Sequence, residues 1–365
     1  MTVFDREMMA RALRLARKGI MTVSPNPAVG CVITRGETIV GEGWHQRAGE
    51  PHAEVNAIRA AGEHVKNSTV YVTLEPCSHH GRTPPCAEAL IAAGVSRVVF
   101  GMKDPNPEVA GAGIAKLRDA GVKVDGPLLE DQSIKLNRGF VKRHTQGLPW
   151  VTVKLAMSLD GRTAMASGES KWITGAAARR DVQRLRAESC AIVTGINTVE
   201  LDSARLNVRA DQLNCEYPLE EIRQPLRVVL DSQGKLAADA AMLEDGGRIL
   251  QIVANSCTPV SDRVEQLQLA SANGIDLRQV LQELANRQCN QVLVEAGATL
   301  AGAFVQAGLV DELVVYMAPT LMGNLARPLL ELPLDAMAQQ VKLHVQDIRS
   351  VGEDLRIICT PRQQA

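Results

Sequence analysis

Aromatic residues are scarce in this chain: three Trp, three Tyr and four Phe make up 3% of its 365 residues. The hydrophobic cores must therefore be built mainly from Ala, Val, Leu and Ile. No apolar run approaches the ~18 residues that a membrane-spanning helix needs. Residues 1–19 are too charged for a signal peptide, which requires a continuous apolar segment. We therefore expect a cytoplasmic protein.

A bias toward one sign of charge is also absent, because the formal net charge is −1. A near-neutral chain is not a strongly basic nucleic-acid binder. Eight cysteines are present, but disulfides are rare in cytoplasmic proteins. Most of the cysteines lie in apolar stretches, whereas Cys77 and Cys86 flank a polar, proline-rich loop. These two are therefore the candidates for chemistry.

Short helices and strands alternate along the first 146 residues. Asp5 is the predicted cap of an amphipathic helix that runs to residue 18. The remaining pattern predicts an α/β domain with a covered sheet. Its predicted strands are 28–34, 38–43, 69–74 and 96–101, and its further helices are 52–61 and 86–93.

A second α/β series begins after the polar stretch 145–149, which ends in a proline. This stretch is the predicted boundary between two domains, 1–146 and 147–365. The second domain has one clear helix at 177–187. Its predicted strands are 151–157, 191–194, 226–230, 291–294 and 313–317.

A metal site is indicated by His52, Cys77 and Cys86. One imidazole and two thiolates make a three-ligand zinc site, which keeps a fourth position for water. Two thiolates disfavour hard metals such as Mg²⁺. Bound zinc lowers the pKa of such a water to about 7. Glu54, in the motif His52-Ala-Glu54, can lie beside that water and shuttle protons without being a ligand.

This arrangement is typical of zinc deaminases of nucleobases, except that eight residues rather than two separate the cysteines. The insert, 78–85, is either a solvated loop or a loop that contacts substrate through His79, His80 and Arg82. The alternative for the whole cluster is a structural zinc site. Such sites have four ligands, so one more ligand would be needed. His79 or His80 could supply the fourth ligand, but Glu54 would then have no role.

Asn26 lies between two prolines in a turn that leads into a strand. The prolines fix the backbone, so the amide can be presented to a ligand at low entropic cost. The alternative is an ordinary turn asparagine. His45, directly after a predicted strand, is a weaker candidate for substrate contact.

Several motifs resemble the bifunctional deaminase/reductase family of riboflavin biosynthesis. In the first half these are PNP at 25–27, HAE at 52–54, TLEPCSHHGRTPPC at 73–86 and DPNP at 104–107. In the second half they are KLAMSLDGRTA at 154–164, SGESKWIT at 167–174 and VEAGATLAG at 294–302. The long spacer between the cysteines matches this family rather than cytidine or tRNA adenosine deaminases.

The resemblance implies an α/β protein with a cytidine-deaminase-like three-layer domain followed by a dihydrofolate-reductase-like domain. The implied substrate is 2,5-diamino-6-ribosylamino-4(3H)-pyrimidinone 5′-phosphate. The zinc domain would release ammonia from it. The second domain would reduce the ribosyl chain with NADPH, giving 5-amino-6-(ribitylamino)uracil 5′-phosphate. A fused enzyme of this type is expected to be a homo-oligomer.

The resemblance also assigns residues in the second domain. On chemical grounds rather than from the resemblance, Lys154 and Asp202 are the polar groups expected nearest the reacting centre, where the opened ribose needs a proton, although Lys154 also fits a surface lysine on an edge strand. Trp172 is placed on the NADPH side, although it also fits a core aromatic. The further NADPH residues are Ala156, Thr198, Asp202, Ser232 and the turn Gly297, Ala298, Thr299, Leu300, Ala301, Gly302 and Ala303. The substrate residues are Ser170, Arg186, Leu206, Arg209 and Glu295.

Two physical arguments accompany these assignments. Arg186 and Arg209 can hold a phosphate by forked, charge-assisted bonds. The glycine-bearing turn at 297–303 follows a strand and exposes backbone N–H groups to an anion, although it also fits a tightly packed helix start. One segment departs from the family, which usually reads TVxxDDPxLTVR where this chain reads TVELDSARLNVR at 198–209. The loop loses one charge and a rigid proline, so lower local order and a less efficient reductase are expected there, with reductase activity retained.

Two other functions compete with this interpretation. A tRNA adenosine deaminase would need a basic surface and usually the short cysteine spacing. A binding module built on structural zinc would leave Glu54 unexplained. A salt-dependent RNA shift assay tests the first alternative, and an ammonia-release assay tests the second.

Overall fold

A computed structural model describes residues 1–78, 85–107, 109–213, 215–271 and 274–362. The chain divides into two compact units. The first contains Met1–Gly147 and Pro218–Glu220, and the second contains Leu148–Tyr217 and the chain from Glu221 onward. No helix in the described ranges has the length and apolarity that crossing a membrane requires.

The first unit is a three-layer α/β structure, as expected. Its helices are α1 (Val3–Arg17), α2 (Ala53–Ala61), α3 (Cys86–Ala92), α4 (Ala112–Asp119), α5 (Glu130–Leu136) and α6 (Arg138–Gln146). Its strands are β1 (Gly30–Arg35), β2 (Thr38–Trp44), β3 (Thr69–Val72), β4 (Arg97–Phe100) and β5 (Lys123–Asp125).

The five-stranded sheet of the first unit has the order β2-β1-β3-β4-β5. The first three strands in this order are antiparallel, and β3, β4 and β5 are parallel. Apolar residues of α1 cover one face, and those of α2, α3 and α4 cover the other. Helix α2 lies very close to β2, because a Cβ at Gly43 would come within 2.4 Å of the Ala53 carbonyl oxygen.

The predicted cap of the first helix is wrong. Thr2 is the N-cap, and its hydroxyl accepts from the Asp5 N–H at 3.1 Å. Asp5 is the reciprocal partner in this capping box, because its carboxylate accepts from the Thr2 N–H at 2.7 Å. The carboxylate also bonds Arg97 and Tyr71, so it joins α1 to the sheet.

The second unit has helices on both faces of a larger sheet. The helices are α7 (Ala176–Glu188), α8 (Ile196–Asp202), α9 (Leu277–Asn286) and α10 (Ala298–Gln306). The strands are β6 (Trp150–Ser158), β7 (Arg162–Ala164), β8 (Ala191–Gly195), β9 (Leu226–Leu230), β10 (Ile249–Val253), β11 (Val264–Gln268), β12 (Ala270–Ser271), β13 (Gly274–Ile275), β14 (Gln291–Glu295), β15 (Glu312–Ala318), β16 (Arg327–Pro328), β17 (Leu343–Val351) and β18 (Asp354–Pro361).

The nine-stranded sheet has the order β11-β10-β9-β8-β14-β6-β15-β18-β17. The first seven strands in this order, β11 through β15, are parallel to one another. Strands β18 and β17 are added antiparallel at the end of the sheet. Helices α9 and α10 pack on one face, and α7 packs on the other. The carboxyl ends of β9, β8, β14 and β6 therefore meet at one edge, which is where open parallel sheets bind ligands.

Candidate active sites

The three predicted zinc ligands converge in the first unit. His52 is the N-cap of α2, Cys86 is the first residue of α3, and Cys77 follows the carboxyl end of β3. The His52 Nδ1 lies 3.2 Å from the Cys86 Sγ and 3.6 Å from the Cys77 Sγ. All three ligand atoms lie within 4.8 Å of one another.

These distances fit a tetrahedral zinc ion. Zn–S bonds of about 2.3 Å and Zn–N bonds of about 2.0 Å place neighbouring ligand atoms ~3.5 Å apart. Cys86, at the start of α3, also lies at the positive end of a helix dipole, which favours its thiolate. The Cys86 N–H donates to the Cys77 sulfur at 3.3 Å, so the backbone holds that sulfur in place.

Charge inside the cluster favours a thiolate on Cys77. Its hydrogen bonds with Cys86 and His52 lower the pKa of Cys77 to about 4. The Cys77 sulfur raises the pKa of its neighbour Cys86 and, by accepting a hydrogen bond, the pKa of His52. A bound dication deprotonates coordinating thiols outright. The donor set therefore suits zinc.

Glu54 lies in the first turn of α2, beside the cluster. Its carboxyl group is 3% exposed, and burial raises its pKa to about 7. The attraction of His52 opposes that shift, and Cys77 reinforces it. A carboxyl group with such a pKa can both accept and donate a proton near neutral pH.

Asn26 and His45 are brought together next to the zinc ligands. The Asn26 Nδ2 lies 3.0 Å from the His45 Nε2, and the His45 Nδ1 lies 3.2 Å from the Pro51 carbonyl oxygen. The His45 and His52 rings meet edge to face with centroids 5.2 Å apart. Burial lowers the pKa of His45. The proposed substrate contacts His79 and Arg82, together with His80, lie outside the described residues.

Glu75 has a role that the sequence analysis missed. This buried residue, two positions before Cys77, accepts four backbone hydrogen bonds of 3.0–3.3 Å. The donors are the N–H groups of Asp104, Gly111, Gly113 and Ile114. The carboxylate thus ties residues 104–114 to the segment that carries a zinc ligand. The available signal in the sequence was an acidic residue, Glu75, within the largely apolar stretch 70–77, which indicates a buried carboxylate with specific partners.

In the second unit, Lys154, Glu295 and Arg186 form the centre of the predicted reductase site. Lys154 and Glu295 are register partners on β6 and β14. Arg186 donates to both Glu295 oxygens, at 2.6 and 2.9 Å. Burial lowers the pKa of Lys154, and the Glu295 carboxylate opposes this shift. Burial also acts to raise the pKa of Glu295, but Arg186 and Lys154 hold it below its usual value.

Two expectations about these residues need correction. Lys154 is not a lysine on an edge strand, because β6 lies between β14 and β15 in the sheet. The fork of Arg186 is engaged by Glu295, and its remaining terminal nitrogen donates to the Asn207 carbonyl at 3.0 Å. Arg186 therefore orients Glu295 in this structure and does not present a free fork to a phosphate.

Asp202, the last residue of α8, lies in the same region. Its Oδ1 accepts from the Ser170 hydroxyl at 3.2 Å, and its carboxylate attracts Lys154 electrostatically. Trp172 is not a core aromatic, because it is 70% exposed. Its ring lies 4.5 Å from the Arg179 guanidinium carbon. An exposed indole of this kind is a platform on which a flat ring can stack.

The edge of the sheet offers features that fit NADPH. Gly297 is the N-cap of helix α10 and provides no side-chain cap, and a Cβ there would meet nothing within 4 Å. The buried Thr194 hydroxyl, at the end of β8, has no hydrogen-bond partner within the described structure. The uncapped amide groups beside open space at Gly297 suit a phosphate. Ser232 is exposed just after β9, and Thr198 lies in α8.

The remaining predicted residues are less closely grouped. Ala156 lies on β6 between the buried Leu155 and the partly buried Met157, and Leu206 is buried under α7 and β14. Arg209 is exposed, and its guanidinium donates weakly to Gln212 at 3.4 Å. No contact within the described residues joins Arg209 to Arg186. Its role as a phosphate ligand stays a prediction.

Comparisons with known proteins match both units. Residues 149–357 match the family model of the RibD C-terminal domain, and residues 2–102 match that of the cytidine and deoxycytidylate deaminase zinc-binding region. The riboflavin biosynthesis protein RibD of Escherichia coli is 51% identical over 96% of this chain and 98% of its own length. The corresponding protein of Aquifex aeolicus is 37% identical over 97% of each chain.

Solved structures agree with these matches. Acinetobacter baumannii RibD superposes with a TM-score of 0.93 at 47% identity, over 99% of each chain. A diaminohydroxyphosphoribosylaminopyrimidine deaminase/5-amino-6-(5-phosphoribosylamino)uracil reductase from Thermotoga maritima superposes with a TM-score of 0.88 at 32% identity. That superposition covers 98% of this chain and 99% of the other.

Proposed function

The chain belongs to the RibD family, and from this premise we propose which of its residues carry out the two reactions. It is a bifunctional enzyme of riboflavin biosynthesis with a zinc-dependent deaminase and an NADPH-dependent reductase. The deaminase acts on the 2-amino group of the phosphorylated diaminopyrimidinone. The reductase converts the ribosyl chain of the deaminated product to ribityl. We assign the first step to residues 1–146 and the second to residues 147–365.

In the deaminase, His52, Cys77 and Cys86 would hold zinc, which supplies an activated water when bound. Glu54 is the proposed general acid and base. Its carboxyl group is buried beside the ligands, and its raised pKa suits transfer in both directions. It would pass one proton of the attacking water to a ring nitrogen and would then carry the second proton of that water to the departing amine, which leaves as ammonia. Such help is worth about 10²–10⁴ in rate.

In the reductase, NADPH supplies a hydride to the sugar. Lys154 is the proposed proton donor, because it lies beside Glu295 at the carboxyl end of the parallel strands and burial lowers its pKa. Glu295 keeps a negative charge next to this lysine, and Arg186 holds the carboxylate in position. Asp202 is proposed to orient the substrate or the cofactor together with Ser170.

The convergence of one imidazole, two sulfurs and a buried carboxyl group carries the deaminase assignment. The test is a two-step assay on the phosphorylated diaminopyrimidinone. Ammonia release should come first, and NADPH oxidation should follow when the cofactor is added. A protein that releases no ammonia from this compound would refute the assignment.

The remaining expectations on partners and location stay predictions. We propose that the protein binds no nucleic acid and acts in the cytoplasm. A gel-shift titration with RNA at low salt should show no complex. A complex that weakens steeply as salt rises would favour the tRNA deaminase alternative.

We also propose that the protein is a homo-oligomer. Strand β17 lies at the edge of the nine-stranded sheet, and its Leu343, Val345 and Ile348 are exposed. Exposed apolar edge strands pair readily with another chain. Sedimentation at micromolar concentration should show an oligomer, and Ile348→Lys should weaken it. A monomer at every concentration would contradict this proposal.

A further inference from the structure

Residues 203–209, which follow α8 in the second unit, form a loop whose backbone is strained at two points. Ser203 and Leu206 have φ angles of 49° and 53°, in the left-handed region that residues other than glycine rarely adopt. Leu206 is also buried. Such a conformation is unfavourable and persists only where the surrounding structure enforces it. The loop has Ala204 where a proline would add stiffness, so other groups must hold it.

Side chains from outside the loop provide this restraint. They bond five of its backbone groups, at distances of 2.8–3.3 Å. These groups are the carbonyls of Arg205, Asn207 and Val208 and the N–H groups of Val208 and Arg209. The side chains that bond them are those of Arg227, Arg186, Gln224 and Gln183. The loop is therefore held from α7 and from the start of β9.

Gln224 makes two of these bonds with a single residue. Its Oε1 accepts from the Val208 N–H at 2.8 Å, and its Nε2 donates to the Val208 carbonyl at 2.9 Å. A backbone N–H only donates and a carbonyl only accepts, so this is the one orientation of the amide that satisfies both bonds. The backbone of Gln224 is itself restrained, because the buried Pro225 follows it and β9 begins at Leu226.

The restraint continues into Arg209, the residue after Val208. Its N–H donates to the Gln183 Oε1 at 3.0 Å. Gln183 lies one turn before Arg186 on α7, and Arg186 donates to the carbonyl of Asn207. The exposed guanidinium of Arg209 therefore extends from a backbone that is fixed on both sides. A fixed attachment point lowers the entropy that is lost when such a side chain binds an anion.

We propose that Gln224 is a positioning residue of the reductase, which fixes the backbone at Val208 so that Arg209 can bind the 5′-phosphate of the substrate. The inference rests on the proposed reductase function and on the predicted role of Arg209. Gln224 acts through the backbone of the loop and not by contact with the substrate. It gives the loop an order that does not depend on a proline at position 204.

Hydrogen exchange of the loop is the first test, and it does not depend on activity. Gln224→Met keeps the volume of the side chain and removes both hydrogen bonds. We expect peptides covering 205–210 to exchange about 10-fold faster in this variant, while peptides from β9 and β14 keep the wild-type rate. Gln282→Met, at an exposed position of α9, is the matched control. Unchanged exchange in the 205–210 peptides would overturn the proposal.

The kinetics of NADPH oxidation provide the second test. Gln224→Met should raise the KM for the deaminated substrate by about 10-fold, with kcat and the KM for NADPH within about twofold of wild type. The same compound without its 5′-phosphate should have equal KM values in the variant and the wild type. Arg209→Ala should raise the KM for the phosphorylated compound by about 30-fold. The double variant should match Arg209→Ala, because Gln224 acts through Arg209.

The outcomes separate this proposal from the function on which it rests. Faster exchange with an unchanged KM would overturn the positioning role alone. Additive effects of the two substitutions, or equal losses with and without the phosphate, would do the same. A wild-type protein that oxidises no NADPH with the deaminated compound would refute the reductase function itself. If Gln224→Met does not fold, Gln224→Asn replaces it, because its shorter side chain cannot make both bonds to Val208.

Discussion

The two sites of this enzyme are built in opposite ways. In the deaminase unit, three ligand atoms lie within 4.8 Å of one another, and each is placed by the start of a helix or the end of a strand. In the reductase unit, the candidate residues come from the ends of several parallel strands and from α7 and α8. Their charges are balanced among themselves, as in the pair of Arg186 and Glu295.

This difference implies different responses to mutation. A metal site concentrates its function in a few atoms, so loss of one ligand abolishes the chemistry. In a site of paired charges several residues share the function. A single substitution should therefore reduce activity only partly.

Removal of zinc should separate the two activities completely. Treatment with a chelator should abolish ammonia release because the metal is removed. Cys86→Ser should have the same effect because only two zinc ligands remain. NADPH oxidation with the deaminated substrate should be unchanged. Zinc content, ammonia release and NADPH oxidation are measured on the same samples. The control is Cys215→Ser, because Cys215 is exposed. Full zinc occupancy in Cys86→Ser would remove this residue from the ligand set.

Glu54→Gln should retain zinc and lose about 10³-fold in ammonia release, since the proton shuttle is removed while the ligands stay. The exposed Glu63→Gln on the same segment should leave the rate unchanged. Deaminase turnover near the wild-type level in zinc-loaded Glu54→Gln would contradict the assigned role.

Lys154→Met should lower NADPH oxidation by about 10²-fold, because the methionine keeps the volume and removes the proton donor. Ammonia release should stay at the wild-type rate. Lys235→Met, an exposed lysine in the same unit, is the control. Wild-type reductase activity in Lys154→Met would show that the lysine only balances Glu295.

Glu75→Gln should have the smallest effect. A glutamine replaces one accepting oxygen by an NH₂ group, so two of the four backbone bonds are lost. Zinc affinity should fall by about 10-fold, and the first unit should lose about 2 kcal/mol of stability. Competition with a chelator and thermal unfolding measure these changes. An unchanged zinc affinity would exclude a supporting role for this residue.

The contrast also explains what the sequence could predict. The ligands of the zinc site follow from a local pattern, because His52 and Cys86 begin helices that their own segments predict. Glu54 follows from its position two residues after a ligand. Glu75 could not be assigned in this way, since its four partners lie about thirty to forty residues later in the chain.

The reductase site depended on the family resemblance. Its strands were predicted individually, but the position of β14 between β8 and β6 is a property of the whole sheet. That order places Lys154 beside Glu295. The helices α4 to α6 and the hairpin of β17 and β18 were not predicted. Helix α5 is only seven residues long, and β17 is largely exposed and lacks a clear apolar period.

The central claim is that each unit carries one reaction with its own residues. The most direct measurement is complementation between Glu54→Gln and Lys154→Met, with the phosphorylated diaminopyrimidinone and NADPH present. Glu54→Gln alone should release almost no ammonia, Lys154→Met alone should accumulate the deaminated compound, and the mixture should form the ribityl product. If the mixture forms no product although each variant keeps its other activity at the wild-type rate, the assignment of the two steps to separate sites is contradicted.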